Sequence, residues 1–389
     1  MRDPVKEGLG METEDVYGPF LEWLKQSWYG VPRPAEALPL IRARYTEEEA
    51  AFLTGMPFAP KPLDELAGLK DMTPDDLRER LDRMARKGLV YRDEKQGRLR
   101  YALNDLFFGM RAFGWPGRTD ERTRAVAPPA NHYWEHGFLD PWAPVREKGL
   151  RVLPIEETIE DTREVRPYED VVRLLDSFQY FVVTVCPCKH VKNLDPVEPD
   201  CTYPTEVCLH FDKLGHYIVD NGLGREITRE EAAAILRKSA EAGLVHGISN
   251  QQEGIDTICN CDPCCCMWFT ALFKLGHTGS LTPSNYRVET RPEACLGCGL
   301  CVKRCPMKAL RLEGHAAAKN KKGVVAVLDP ERCIGCGVCV YTCKGRSLTL
   351  QPREAVHDPP RTGRDFAFQF MMDHQAAQAD GAESTRNSR

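Results

Sequence analysis

Cysteine is absent from the first 185 residues of this 389-residue chain, and long apolar runs are absent throughout. The longest uninterrupted candidate, Phe181 to Val185, is of strand length, far short of the ~18 residues that a membrane-spanning helix needs. An excess of one charge is also lacking. Fifty-two basic and 57 acidic side chains leave a net of −5, so nothing global argues for binding nucleic acid or an anionic membrane. There is no G-x-G-x-x-G and no P-loop. Gly222-Leu223-Gly224-Arg225 fails the pattern, so no flavin, nicotinamide or nucleotide is indicated. The start, Met1 to Gly8, has no apolar h-region, and the expectation is a cytoplasmic chain without a secretory signal.

What is there is sulfur. Seventeen cysteines fall between 186 and 343 in tight groups. Disulfide frameworks space cysteines so that loops can be stapled, whereas a run such as Cys264-Cys265-Cys266 suits metal ligation in a reducing compartment. Near the carboxyl end, Cys295-x2-Cys298-x2-Cys301-x3-Cys305-Pro306 is followed by Cys333-x2-Cys336-x2-Cys339-x3-Cys343. Three cysteines two residues apart wrap one iron–sulfur cubane, and the fourth reaches the other cluster. One 4Fe-4S cluster is therefore expected on Cys295, Cys298, Cys301 and Cys343, and a second on Cys333, Cys336, Cys339 and Cys305. Gly297, Gly299, Gly335 and Gly337 let the backbone pass close to an inorganic cube. Zinc ribbons use two separated CxxC pairs, not four cysteines in eleven residues twice over.

This segment, 288–351, resembles a two-cluster bacterial ferredoxin domain. It departs from that pattern in the polar insertion Glu313 to Lys322 and in Lys344, which stands where proline is usual. Lys344 and Arg346 would place positive charge beside the first cluster.

Nine more cysteines occupy 181–287. An apolar strand, Phe181 to Val185, delivers Cys186-Pro187-Cys188. Cys201 and Cys208 follow, then a capped helix from Thr228 to Gly243, and then Cys259-Asn260-Cys261-Asp262-Pro263-Cys264-Cys265-Cys266. Nine thiols suit one further iron–sulfur cluster with spares, two clusters, or a cluster plus zinc. A redox-active thiol pair beside Lys189 or His190 is a further alternative. His190, His210 and His216 read more readily as core or surface histidines than as ligands.

Residues 46–105 read as helix, turn, helix and hairpin. Thr46 caps Glu47-Glu48-Glu49, Thr73-Pro74 opens a second helix with a Leu77, Leu81, Met84 stripe, and Val90-Tyr91 pairs with Leu99–Tyr101 around the tip Asp93 to Gly97. This resembles a winged helix. Between 61 and 104, eleven basic and nine acidic side chains are evenly mixed, which favours a scaffold role over phosphate neutralisation. His132-Tyr133-Trp134-Glu135-His136 fits H-x-x-E-H, but only one helical turn is available and no third ligand can be named.

The order of parts resembles a family of 4Fe-4S ferredoxin-type proteins of anaerobic bacteria, in which a winged helix precedes a cysteine-rich domain and a ferredoxin pair. The resemblance is carried by Val185-Cys186-Pro187-Cys188, Cys201 to Cys208, Gly243-Leu244-Val245-His246 and Asn260 to Cys266. It implies an architecture more than a reaction. Lys189 stands where relatives often have arginine, and Cys261-Asp262 where they often have paired cysteines.

The expected fold is α+β and multidomain: an irregular segment at 1–45, the winged-helix-like part at 46–105, an aromatic and proline-rich connection at 106–180, a cysteine-rich α/β domain at 181–287, the two-cluster domain at 288–351 and a disordered tail at 352–389. The expected function is single-electron transfer to redox partner proteins, as a carrier or subunit rather than a self-contained enzyme. An iron–sulfur sensor on DNA and a reductase using the upstream cysteines are the alternatives.

Overall fold

The computed structural model describes residues 15–139, 143, 145, 148–159, 165–197, 201–277, 280–373 and 376. The fold is α+β. Residues expected to be irregular at the N-terminus instead form α1 (Tyr17–Leu24) and α2 (Pro34–Arg44). The break at Val31-Pro32-Arg33-Pro34 is real. Arg33 takes φ 44° and Pro34 opens α2, where its missing N–H costs nothing. α3 (Glu47–Leu53) starts at a full capping box, with the Thr46 hydroxyl accepting from Glu49 N and the Glu49 carboxylate from Thr46 N.

α4 (Leu63–Lys70) and α5 (Pro74–Ala85) precede the hairpin β2 (Val90–Lys95) and β3 (Arg98–Leu103), against which β1 (Lys61–Pro62) pairs. The turn is tighter than the sequence suggested. Only Gln96 and Gly97 stand outside the strands, both at positive φ as a type I′ turn requires. The basic side chains of α5 are committed: Arg78 to Asp82, Arg80 to Glu48 and Arg83 to Glu79, while Lys87 just beyond it pairs with Glu49.

The aromatic and proline-rich connection at 106–180 is largely regular among its described residues. They contain α6 (Leu106–Gly114), α7 (Glu121–Tyr133) running into a π-helical turn (Trp134–Phe138), and α8 (Val171–Ser177). They also supply β4 (Leu150–Val152) to a six-stranded sheet whose order is β4, β8 (Val245–Ser249), β9 (Thr257–Cys261), β6 (Glu206–Phe211), β5 (Phe181–Val185), β7 (Arg225–Ile227). Every pairing in it is antiparallel, so the cysteine-rich part is α+β, not the α/β arrangement the sequence suggested. α11 (Arg229–Ala242) packs on this sheet and ends at Gly243 with φ 87°. Thr228 caps α11 by accepting from Glu231 N, while the Glu231 carboxylate pairs with Arg225.

The C-terminal segment adds two antiparallel pairs, β10 (Tyr286–Thr290) with β13 (Leu348–Pro352) and β11 (Leu310–Gly314) with β12 (Val324–Leu328). Residues 363–373, expected to be disordered, form a helix that buries Phe366 and Phe370 in the main core. Within 352–362, also expected to be disordered, Pro352 ends β13 and the Pro360 carbonyl accepts from Gln252 N, while 374–375, 377–389 and Trp142 lie outside the described residues. Among the described residues, no helix is long and apolar enough to cross a membrane.

Candidate metal centres

The C-terminal thiols sit on two loops, each turning into a short helix, α13 (Leu300–Arg304) and α14 (Val338–Tyr341). Two glycines show why the loops are tight. Gly335 has φ 66°, and a Cβ there would lie 2.2 Å from the Tyr286 carbonyl oxygen; Gly337 has φ 80°, and a Cβ would lie 2.5 Å from Thr158 Oγ1. The structure gathers the eight sulfurs into two sets. Cys301 faces Cys343, Cys295 and Cys298; Cys339 faces Cys336, Cys305 and Cys333, and more distantly Cys301. Burial pushes the Cys336 thiol up to about 12 and Cys301 up to about 11, with neighbouring thiols adding to both. Backbone amides donate to the sulfur of each fourth cysteine, Ala309 N to Cys305 Sγ and Ser347 N to Cys343 Sγ, each at 3.3 Å.

The nine upstream thiols divide differently. Cys186 caps α9 (Pro187–Leu194) straight after β5, with Cys188 in its first turn. Cys208 lies on β6, Cys259 and Cys261 on β9, and Cys266 caps α12 (Met267–Phe273). The strand alternation that buries Ile258 and Asn260 turns Cys259 and Cys261 together to the opposite face. Cys188 acts on Cys186, Cys186 on Cys208, Cys208 on Cys259, Cys259 on Cys261 and Cys261 on Cys266, and Cys266 acts on Cys188 again through charge. These six form a ring of electrostatically coupled sulfurs.

The ring lines a cavity of about 640 Å³. Its thiols are not equivalent. Hydrogen bonds from Cys188 and Cys208, together with buried Lys189, hold Cys186 well below its ordinary value; bonds from Cys208 and Cys261, with Arg111, do the same for Cys259. Arg111 comes from α6, which approaches the Cys-Pro-Cys turn so closely that a Cβ on Gly114 would lie 2.6 Å from Pro187 Cα. Its guanidinium stands 5.8 Å from the Phe107 ring and 5.9 Å from the Trp115 ring and faces Cys259, Cys208 and Asp256. The cavity is also lined by the aromatic side chains of Trp28, Phe107, Phe108 and Trp268 and by Phe366 and Phe370 of the 363–373 helix. The sequence reading missed Arg111 and these two phenylalanines.

Behind the ring, Cys201, Cys264 and Cys265 gather with Asp262. Tyr203 faces Cys264, Cys201 and Arg304, placing this group toward the C-terminal thiols. The histidines are engaged elsewhere. His190 Nε2 meets the Arg118 carbonyl oxygen, His210 lies between Thr184 and Thr257, and His216 stacks on Tyr180. The H-x-x-E-H residues also have other partners, His132 with Glu36, and Glu135 with Lys192 and Lys274.

Residues 294–346 match the 4Fe-4S dicluster domain, so this part of the chain is of the two-cluster ferredoxin type. No curated protein and no solved structure is detectably similar to the chain.

Proposed function

We propose that this chain is an iron–sulfur electron-transfer protein whose C-terminal clusters serve the thiol-ringed cavity of the preceding domain. Cys295, Cys298, Cys301 and Cys343 would hold one 4Fe-4S cluster, and Cys333, Cys336, Cys339 and Cys305 the other; such clusters supply single electrons at low potential. The donor set fits. All of the eight sulfurs but that of exposed Cys298 belong to buried or half-buried residues, the fourth member of each set receives an amide hydrogen bond, and the loops pass where no side chain could.

The observation that carries the proposal is the ring. One metal ion takes about four thiolates, so six coupled sulfurs in one ring call for a centre of several metal atoms. Cys186, Cys188, Cys208, Cys259, Cys261 and Cys266 would hold it, with Lys189 and Arg111 balancing thiolate charge. The cavity beyond the ring favours the reductase reading over a pure carrier, since an aromatic wall and an arginine suit a small, largely apolar anion. The sensor reading is weaker. The 46–105 part has the helix–helix–hairpin order of a winged helix, but the cations of α5 pair with carboxylates and cannot face phosphate without breaking those pairs.

Anaerobic iron and acid-labile sulfide counts test the proposal. Wild-type protein is expected above the about eight irons of two cubanes, and a Cys186→Ser/Cys259→Ser variant at about eight. A wild-type count of about eight would leave the ring without iron and remove the cavity from the electron path.

A further inference from the structure

The group behind the ring has a different geometry from the eight C-terminal thiols. Cys264 Sγ lies 3.6 Å from Cys201 Sγ and 3.4 Å from Cys265 Sγ, and all three sulfurs lie within 4.8 Å of one another, so they form a tight triangle. One ion at a Zn–S length of about 2.3 Å with tetrahedral angles sets its sulfurs about 3.8 Å apart. In a cubane each thiolate binds its own iron and the sulfurs stand further from one another. The protein contains its own standard for that case. Among the described residues, none of the eight C-terminal cysteines hydrogen-bonds another; they act on one another only through charge.

A fourth donor is in place. Asp262 is 1% exposed, and its ligand oxygen lies within 4.8 Å of all three sulfurs. Its Oδ1 accepts from Cys264 N at 3.0 Å and Cys265 N at 2.7 Å, which folds the turn that turns both thiols to one side, and it stands 2.8 Å from Cys264 Sγ. Its Oδ2 has no hydrogen-bond partner although it is buried. Lys189 Nζ, itself fully buried, lies 3.6 Å away and offsets part of the negative charge that three thiolates and a carboxylate would carry. Asn193 Oδ1 accepts from Cys201 N at 2.9 Å and fixes the segment that supplies the third thiol.

We propose that Cys201, Cys264, Cys265 and Asp262 form a closed tetrahedral site for a single zinc ion, separate from the six-thiol ring. The ion ties the segment at Cys201 to the turn at 262–266 and so stiffens the wall that carries Cys261 and Cys266. The site requires nothing of the ring, so it stands whether or not the ring holds iron.

The test uses the full chain purified without oxygen. Metal analysis is expected to find about one zinc per chain besides iron, and zinc K-edge X-ray absorption to show three sulfur neighbours at about 2.3 Å and one lighter neighbour at about 2.0–2.2 Å. A Cys201→Ser/Cys264→Ser variant is expected to lose most of that zinc with iron and acid-labile sulfide unchanged. Zinc-free wild-type protein, a four-sulfur shell, or a variant that keeps its zinc and loses iron and sulfide would each overturn the proposal. The absorption measurement needs no variant, so it decides even if the serine substitutions impair folding.

Discussion

Asp105 works at two places at once. Its carboxylate accepts from Phe108 N at 2.7 Å and caps α6, and the same side chain borders the cavity that Arg111 enters. Burial, the largest influence, pushes its pKa up to about 6, against the lowering effect of the capping amides and of Arg111. The sign follows from linkage. The folded protein holds this proton more tightly than the unfolded chain does, so stability is highest when Asp105 is protonated. It falls as pH rises from near 4 through about 6, and is level above that. Asparagine caps nearly as well and carries no charge. Asp105→Asn is therefore expected to be more stable than wild type by about 1–3 kcal/mol at pH 7.5, with about half that gain at pH 5. Thermal unfolding at the two pH values checks this, and equal gains at both would remove burial of the charge as the cause. Arg111 shows the opposite side of the residue scale. The cysteines were legible because iron chemistry demands them at fixed spacing. A lone arginine in Leu106-Phe107-Phe108-Gly109-Met110-Arg111 carries no such mark, and its thiol partners lie some hundred residues further along the chain.

At the scale of elements, those fixed by local chemistry were readable and those fixed by contact were not. Thr46, Thr73-Pro74 and Gly243 end or begin helices where the sequence places them, because capping is decided within four residues. α6 and α7 were hidden by their own composition. α6 contains Gly109 and Gly114, and α7 contains Pro128 and Pro129. The glycines are there for close approach, Gly114 against Pro187, which no local pattern reveals. The antiparallel sheet was illegible for a similar reason, since β4 joins β8 across nearly a hundred residues. The 363–373 helix has two buried apolar anchors among its described residues, Phe366 and Phe370, the latter edge-to-face with Tyr29 at 5.8 Å. Its hold on the cavity should therefore be modest and local. A Phe366→Ala/Phe370→Ala variant is expected to contain as much iron as wild type when freshly made. It should lose its iron–sulfur absorbance in air about tenfold faster or more, because giving up over about 1.4 kcal/mol of docking raises the open population by that factor. Bleaching at the wild-type rate would mean that this helix does not gate access.

At the scale of the whole molecule, the question is what ties the antiparallel sheet to the dicluster segment, since electron passage needs them held in one arrangement. The strongest candidate is a buried ion pair. Arg151 on β4 and Glu169 are both fully buried, with Nη2 and Oε1 3.0 Å apart. Glu169 Oε1 also accepts from Asn285 N at the entrance to β10, and Arg151 Nη2 donates to the His357 carbonyl oxygen at 2.8 Å beyond β13. One pair thus touches the sheet and both strands of the β10–β13 ribbon at the end where Tyr286 pairs with Pro352. Its charges are not fully met, because Arg151 Nη1 and Glu169 Oε2 have no hydrogen-bond partner, and burial raises the Glu169 pKa despite the arginine. A buried pair of this kind is costly to break on one side and cheap to replace on both. Arg151→Met alone is expected to cost about 3–5 kcal/mol, leaving a buried carboxylate that must take up a proton. Arg151→Met/Glu169→Leu is expected to recover most of that loss, so the two substitutions should be strongly non-additive. Denaturant unfolding followed both by cluster absorbance and by tryptophan fluorescence measures this, and adds a second reading. If the pair is the tie, the single variant should release the dicluster segment before the sheet and separate two transitions that coincide in wild type. Additive losses with coincident transitions would place the tie elsewhere.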